Sequence, residues 1–81
     1  MATVEARWKE LLIWKNDSHT LIFEMTMGVM HIYLPTREAW LKAAPVFAQQ
    51  RYDEICDDIR AWATASNIPI TFDDIAWVET E

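Results

Sequence analysis

Four carboxylates crowd into one short stretch of the chain, YDEICDDIR at residues 52–60. They are Asp53, Glu54, Asp57 and Asp58. In a helix, carboxylates four residues apart are neighbours, and such like-charged pairs repel slightly. Three uses would explain that arrangement: binding of a divalent cation, catalysis together with Cys56, or attraction of a basic partner.

A helical projection of this stretch separates the cysteine from the acids. At about 100° per residue, one apolar arc holds Tyr52, Ile55, Cys56, Ile59, Trp62 and Ala63. We therefore predict that Cys56 is a buried apolar residue, since a reactive thiol needs a cationic and partly exposed setting. A cation site is also disfavoured, because the chain has no alternating-Asp loop with a central Gly and no Glu-x-x-His motif. The pattern favours a solvated acidic face, for a partner or for solubility alone.

A second acidic pair, Asp73 and Asp74, follows Phe72 near the end of the chain. Aspartate favours turns because its side chain bonds nearby backbone amides, so a turn is expected here. The pair would also extend the acidic face if the fold brought it beside the helix. We predict a partner-binding surface made of Asp53, Glu54, Asp57, Asp58, Asp73 and Asp74.

The histidines suggest acid–base chemistry. If Met27 and Gly28 form the turn of a hairpin, Glu24 and His31 lie opposite each other. A histidine with a carboxylate neighbour can act as a general base. Hydrogen-bonded pairs across strands are also ordinary features of sheets, which is the stronger interpretation.

Three aromatic residues are candidates for an apolar contact surface. Trp40 falls away from Leu41 and Ala44 in a helical projection, and Phe47 lies just beyond Pro45. Together with Tyr33 on the hairpin, they would make a patch for a partner or a second copy. The alternative is that the break at Pro45 turns these residues into the core.

Charge is distributed unevenly. The net charge is −6, yet residues 1–51 carry six basic and five acidic side chains. Residues 52–81 carry eight acidic side chains and one basic residue, Arg60. Direct nucleic-acid binding is unfavourable without a basic patch.

Composition indicates a folded protein in a reducing compartment. Apolar residues make up 52% of the 81 residues, which excludes a disordered chain. A single cysteine excludes an internal disulfide and is typical of the cytoplasm. No signal peptide and no apolar run long enough to cross a membrane is visible. We expect one domain over residues 1–81 and no cofactor.

Periodicity outlines the elements. Residues 4–14 fit a helical face, although a strand over about 8–15 is preferred. Residues 19–34 predict a hairpin around Gly28, with Gly28 left-handed if the loop is longer than two residues. Thr36 is a good N-cap for a helical stretch that Pro45 must kink or divide, and Asn67 is a plausible stop. Alternating residues over 68–78 predict one or two short strands.

The order of elements predicts an α+β fold, with a small antiparallel sheet covered on one face by a long or Pro-kinked helix. The best-supported function is a non-catalytic protein-binding domain of inhibitor, immunity, nucleic-acid-mimic or adaptor type, whose acidic helix face meets a basic partner. One alternative is a structural homodimer through the sheet face around Ile22 and Tyr33 or through the Trp40–Phe47 region. A small enzyme using His31 and Glu24 is the third hypothesis.

Overall fold

The chain folds as a sheet with a helical layer on one face, so the expected α+β class is confirmed. A computed structural model describes residues 2–7, 10–26 and 28–80. The strands of that part are β1 (Thr3–Arg7), β2 (Leu11–Lys15), β3 (Thr20–Thr26), β4 (His31–Pro35), β5 (Ile70–Asp73) and β6 (Val78–Thr80). The helices are α1 (Arg37–Ala43) and α2 (Tyr52–Ala65), joined by a 3-10 segment at Val46–Arg51.

The first four strands form an antiparallel meander. β5 pairs with β4 in parallel, an exception to the antiparallel sheet that we expected. A parallel pair needs a long crossover, and α1, the 3-10 segment and α2 supply it. None of the described helices is long and apolar enough to span a membrane.

β6 fills a gap between β3 and β4. β4 pairs with β3 only as far as Tyr33, which lies opposite Glu24. Beyond that point β6 takes the place beside β3, with Val78 opposite Phe23. β6 therefore extends the pairing of β3 beyond the end of β4, and the turn that precedes it carries Asp74.

The two faces of the sheet differ because side chains alternate along each strand. The helical face carries the core residues Leu12, Trp14, Leu21, Phe23, Met25, Ile32 and Leu34, all at most 1% exposed. From α2, Ile55, Cys56, Ile59 and Ala63 pack against them. The outer face is mixed, with Glu5, Ile13, Ile22 and Glu79 in one row across four strands.

The helix boundaries follow local chemistry. The Thr36 hydroxyl accepts a hydrogen bond from the Ala39 amide, which confirms the predicted N-cap. α1 ends at Ala43 and Pro45 precedes the 3-10 segment, so Pro45 divides the helical stretch as expected. Asn67 adopts a left-handed φ of 56° and ends α2. The Ile68 and Asn67 amides bond the Ala63 and Thr64 carbonyls, a Schellman motif.

The beginning of the chain differs from the sequence prediction. Residues 4–14 contain no helix in their described part: β1 ends at Arg7 and β2 begins at Leu11. The predicted strand over 8–15 corresponds to β2, whereas β1 was missed. Val4 and Ala6 alternate with polar residues, but alanine and glutamate have low strand propensity, so the pattern is weak. Trp8, part of the proposed helical face, lies outside the described residues.

The register of the hairpin also differs. Thr26 lies opposite His31, which leaves four residues in the loop instead of two. The pairing shifts by two residues, so the predicted core face is preserved although the partners change. The longer loop considered as an alternative is therefore present, but Gly28 does not have a positive φ, so its left-handed conformation is wrong. The Thr26 hydroxyl donates a 2.8 Å hydrogen bond to the Val29 carbonyl and closes the loop. Met27, assigned to the turn, lies outside the described residues.

Candidate functional site

α2 divides the chain's main acidic stretch into two sides. Its apolar residues face the sheet and Cys56 is buried, as the helical projection predicts. Asp53 and Asp57 lie toward α1 and β5, because Asp53 contacts Arg37 and Asp57 contacts Arg60, which lies over Phe72. Glu54 and Asp58 lie toward the β2–β3 side of the molecule. The four carboxylates therefore do not form one continuous face.

Asp53 forms an ion pair with Arg37, the first residue of α1. The Arg37 guanidinium carbon also lies 4.8 Å from the centre of the Tyr52 ring, a cation–π arrangement. The Tyr52 hydroxyl donates a 2.8 Å hydrogen bond to the Pro35 carbonyl, which fixes the ring. A guanidinium group thus sits between a carboxylate and an aromatic ring.

Asp57 repeats this arrangement one helical turn later. Its carboxylate accepts a 3.2 Å hydrogen bond from Arg60. The Arg60 guanidinium carbon lies 5.8 Å from the centre of the Phe72 ring, which is 41% exposed on β5. Both ion pairs are exposed, and pairs of this kind contribute only about 0–1 kcal/mol. Their carboxylates can therefore exchange partners at little cost.

Asp58 has a structural role. Its carboxylate accepts a 2.9 Å hydrogen bond from the indole Nε1–H of Trp14, whose side chain is fully buried. A buried indole donor needs an acceptor, and Asp58 provides it from the edge of the helix. This residue ties α2 to β2 and is not an open carboxylate for a partner.

The β5–β6 turn brings Asp74 to the same region as Asp53. Asp74 accepts a 2.5 Å hydrogen bond from the Thr36 hydroxyl, immediately before Arg37. Each acidic cluster therefore contacts the start of α1, Asp74 through Thr36 and Asp53 through Arg37. Asp73 instead accepts a hydrogen bond from the Ile75 amide at 3.0 Å, which confirms the expected turn chemistry. We call Asp53, Asp57 and Asp74 the acidic surface.

Glu54 lies apart from the acidic surface. It lines an open depression of about 340 Å³ together with Ala2, Asn16, Asp17, Ser18, His19 and Arg51. Asn16 shapes its rim, because its side-chain oxygen accepts hydrogen bonds from the Ser18 and His19 amides. Two carboxylates, Asp17 and Glu54, and one guanidinium group, Arg51, line this depression, so its charge is mixed.

The aromatic candidates do not form one patch. Trp40 is only 1% exposed and its indole donates a 3.0 Å hydrogen bond to the Ala48 carbonyl, so it belongs to the core, as the alternative interpretation held, and not to an exposed patch. The 3-10 segment after Pro45 folds back and covers it. Phe47 is half-buried and stacks on His19, with 3.7 Å between ring centres. Tyr33 is half-buried on the outer face of the sheet and stacks on His31.

His31 and Glu24 are not cross-strand partners, so the pairing behind the enzyme hypothesis is wrong. Glu24 lies opposite Tyr33, and His31 lies opposite Thr26. The His31 Nε2 atom is 2.6 Å from the Thr71 hydroxyl on β5. The tautomer of His31 determines which of the two donates. Glu24 and Tyr33 line a small notch of about 130 Å³ beside Asp73, Ile75 and Ala76.

Among the residues that the structure describes, Cys56 and Tyr52 have clearly shifted pKa values. Burial raises the pKa of the Cys56 thiol to about 11, because the thiolate would lose its hydration. Burial also raises the pKa of Tyr52 to about 12, with a further contribution from the neighbouring Cys56. Both groups stay protonated and uncharged at neutral pH, and a thiol in that state is a poor nucleophile.

Metal ligation finds no support in the geometry: within the described ranges, no three His, Cys, Asp or Glu side chains are placed to hold a metal ion. No family model, curated protein or solved structure matches the chain.

Proposed function

We propose that this chain is a non-catalytic protein-binding domain, and that its acidic surface docks on a basic, arginine-bearing surface of another protein. The observation that carries the proposal is the double carboxylate–aromatic arrangement. Asp53 with Tyr52 and Asp57 with Phe72 each hold a guanidinium group of the chain itself. A guanidinium favours such a setting because it pairs with a carboxylate and stacks on a ring.

An incoming arginine would exchange with Arg37 or Arg60. The exchange is inexpensive because both internal pairs are exposed to water, where an ion pair contributes little. Asp74, which accepts a hydrogen bond from Thr36 just before α1, adds a third carboxylate. The acidic surface would mainly speed encounter and set orientation, while apolar contacts such as Phe72 would supply affinity.

The partner is a protein in this proposal. Residues 52–81 carry eight acidic side chains and one basic residue, a charge balance that disfavours contacts with phosphate groups. Three kinds of partner have the required basic surface: a cationic nuclease, a nucleic-acid-binding protein whose site is mimicked, and a basic subunit of a larger complex. The single, buried Cys56 is consistent with a cytoplasmic setting.

Capture with three matched baits tests the proposal. The first bait is the wild-type chain, and the second carries Asp53→Asn, Asp57→Asn and Asp74→Asn. The third removes the same number of charges elsewhere, through Asp17→Asn, Glu24→Gln and Glu79→Gln. We expect a protein from the native host that the wild-type and control baits retain at low salt and the acidic-surface bait loses. Equal retention on all three baits would contradict the proposal.

A further inference from the structure

β5 is an edge strand, and the structure describes its whole length together with the residues on either side of it. Among the described residues it pairs only with β4. The Ile32 amide donates a 3.0 Å hydrogen bond to the Pro69 carbonyl, so every second residue of β5 from there on, such as Thr71, turns its backbone groups toward β4. The N–H and C=O groups of Ile70 and Phe72 therefore point to the open edge, where a further strand can join.

Neither the proline nor the helical layer blocks this edge. Pro69 turns toward β4, so its missing N–H does not interrupt the open side of the strand. Phe72, on the helical side of the sheet, is 41% exposed, and Thr71, on the outer side, is exposed as well. Residues 70–72 carry no charged side chain, so the edge lacks the charges that commonly keep such strands from pairing.

We propose that β5 pairs antiparallel with β5 of a second copy of this chain, about a two-fold axis at Thr71. This axis places Ile70 of each copy opposite Phe72 of the other, so the residues with open backbone groups exchange hydrogen bonds on both sides of the axis. On the outer side, Thr71 lies opposite Thr71 of the second copy. Pairs of an aromatic with a β-branched residue and pairs of threonines are favourable across strands.

The side chains select this register over the two others that residues 70–72 allow. A hydrogen-bonded antiparallel pair joins residues that both point to the edge, so the axis lies at Ile70, Thr71 or Phe72 and never between residues. An axis at Phe72 would place the apolar Ile70 opposite the charged Asp74. An axis at Ile70 would need Ile68, whose amide is already bonded within the end of α2.

Charge acts on this dimer only at long range. Asp73 of each copy lies opposite Pro69 of the other, so aspartates do not face one another across the axis. Each copy has a net charge of −6, and salt screens the repulsion between copies, so the dissociation constant should fall as ionic strength rises. A second copy that bound the acidic surface through Arg37 or Arg60 would show the opposite dependence on salt.

Substitution at the two-fold axis tests the proposal, because a residue on the axis meets its own copy. Thr71→Lys places two ammonium groups opposite each other, and Thr71→Glu places two carboxylates there. Each variant alone should raise the dissociation constant of the dimer by about fivefold or more. An equimolar mixture of the two variants should form a heterodimer about as tight as the wild-type dimer, since a lysine then faces a glutamate.

Sedimentation equilibrium from micromolar to millimolar protein, at low and high salt, measures these constants. Both variants lose the contact of Thr71 with His31, so only pairing at the axis explains recovery in the mixture. Thr3→Lys and Thr3→Glu are matched controls on the opposite edge strand, β1, and should leave the dimer intact. A wild type that stays monomeric, a dimer that salt weakens, or a mixture no tighter than its two variants would each overturn the proposal.

Discussion

The indole of Trp14 donates a hydrogen bond to the carboxylate of Asp58, with 2.9 Å between nitrogen and oxygen. These residues are 44 positions apart in the chain, so the bond links β2 of the sheet to α2 of the helical layer. One of the four carboxylates of residues 52–60 therefore has a structural role, because it holds α2 against the sheet.

Removal of the Asp58 acceptor should destabilise the fold. In Asp58→Ala the buried indole N–H loses its partner, which should lower the free energy of unfolding by about 1–3 kcal/mol. Asp58→Asn retains an oxygen acceptor and should lose less. Asp57→Ala is the matched control and should change stability by less than about 0.5 kcal/mol. Urea denaturation followed by far-ultraviolet circular dichroism measures all three, and equal stability of the two alanine variants would exclude this role for Asp58.

Trp40 should behave as a core residue. Trp40→Phe leaves the Ala48 carbonyl without its donor and leaves space beside Tyr52, whose ring packs edge-on at 5.1 Å. We expect a loss of about 2–4 kcal/mol of unfolding free energy. Trp62→Phe, at a half-buried position, should cost less. If both substitutions were equally mild in denaturant titration, Trp40 would not be a principal core residue.

The left-handed backbone at Asn67 gives a simple conformational test. Asparagine tolerates this conformation better than alanine, and glycine adopts it without strain. Asn67→Ala should lower the free energy of unfolding by about 1 kcal/mol, whereas Asn67→Gly should match or exceed the wild type. The thermal unfolding temperatures of the wild type and the two variants rank their stabilities directly. A reversed order would argue against the Schellman motif.

Stability should fall at alkaline pH. Because the folded state raises the pKa of Cys56 from 9.0 to about 11 and that of Tyr52 from 10.0 to about 12, the unfolded chain releases these protons first. The contribution of each group is therefore complete below its unfolded pKa and is lost as pH rises through its folded pKa. Denaturant midpoints should decline between about pH 9 and pH 12.

The variant Cys56→Ala with Tyr52→Phe removes both groups from this titration. Its denaturant midpoint should depend less on pH over the same interval, even if its stability at neutral pH is lower. A decline as steep as that of the wild type would show that other groups govern alkaline unfolding.

Much of the fold is predictable from local rules. The alternation of apolar and polar residues correctly assigned Phe23 and Ile32 to the core face. The predicted register was wrong by two residues, but a shift of two residues leaves each side chain on the same face of the sheet. Thr36 and Asn67 marked helix ends through their own backbone chemistry. Cys56 was correctly assigned to the core from a helical projection alone.

Features that depend on tertiary contacts were not predictable. The Thr26 hydroxyl closes a four-residue loop, a bond that no turn rule indicates. Trp40 was a candidate for exposure because it falls away from Leu41 and Ala44 in a helical projection. The 3-10 segment after Pro45 returns Ala48 to its indole, as in the alternative interpretation. Periodicity could not show that β6 fills the space between β3 and β4.

The candidate site was predictable only in part. The sequence identified the acidic residues but not their partners, since Arg37 and Asp53 lie on different helices. Asp58 stands at the border between the polar and apolar sides of α2, and only the position of Trp14 decides its role. The contact of Asp74 with Thr36 depends on the β5–β6 turn, which local patterns do not place.

The association rate of the captured partner, measured against ionic strength, tests the central claim most directly. Charge-steered association is fast at low salt and slows as salt screens it. The wild type and the Asp17→Asn, Glu24→Gln, Glu79→Gln control should associate equally fast at low salt and slow steeply as salt rises. The Asp53→Asn, Asp57→Asn, Asp74→Asn variant should associate more slowly at low salt with a shallower dependence, and an unchanged rate would contradict the proposed role of the acidic surface.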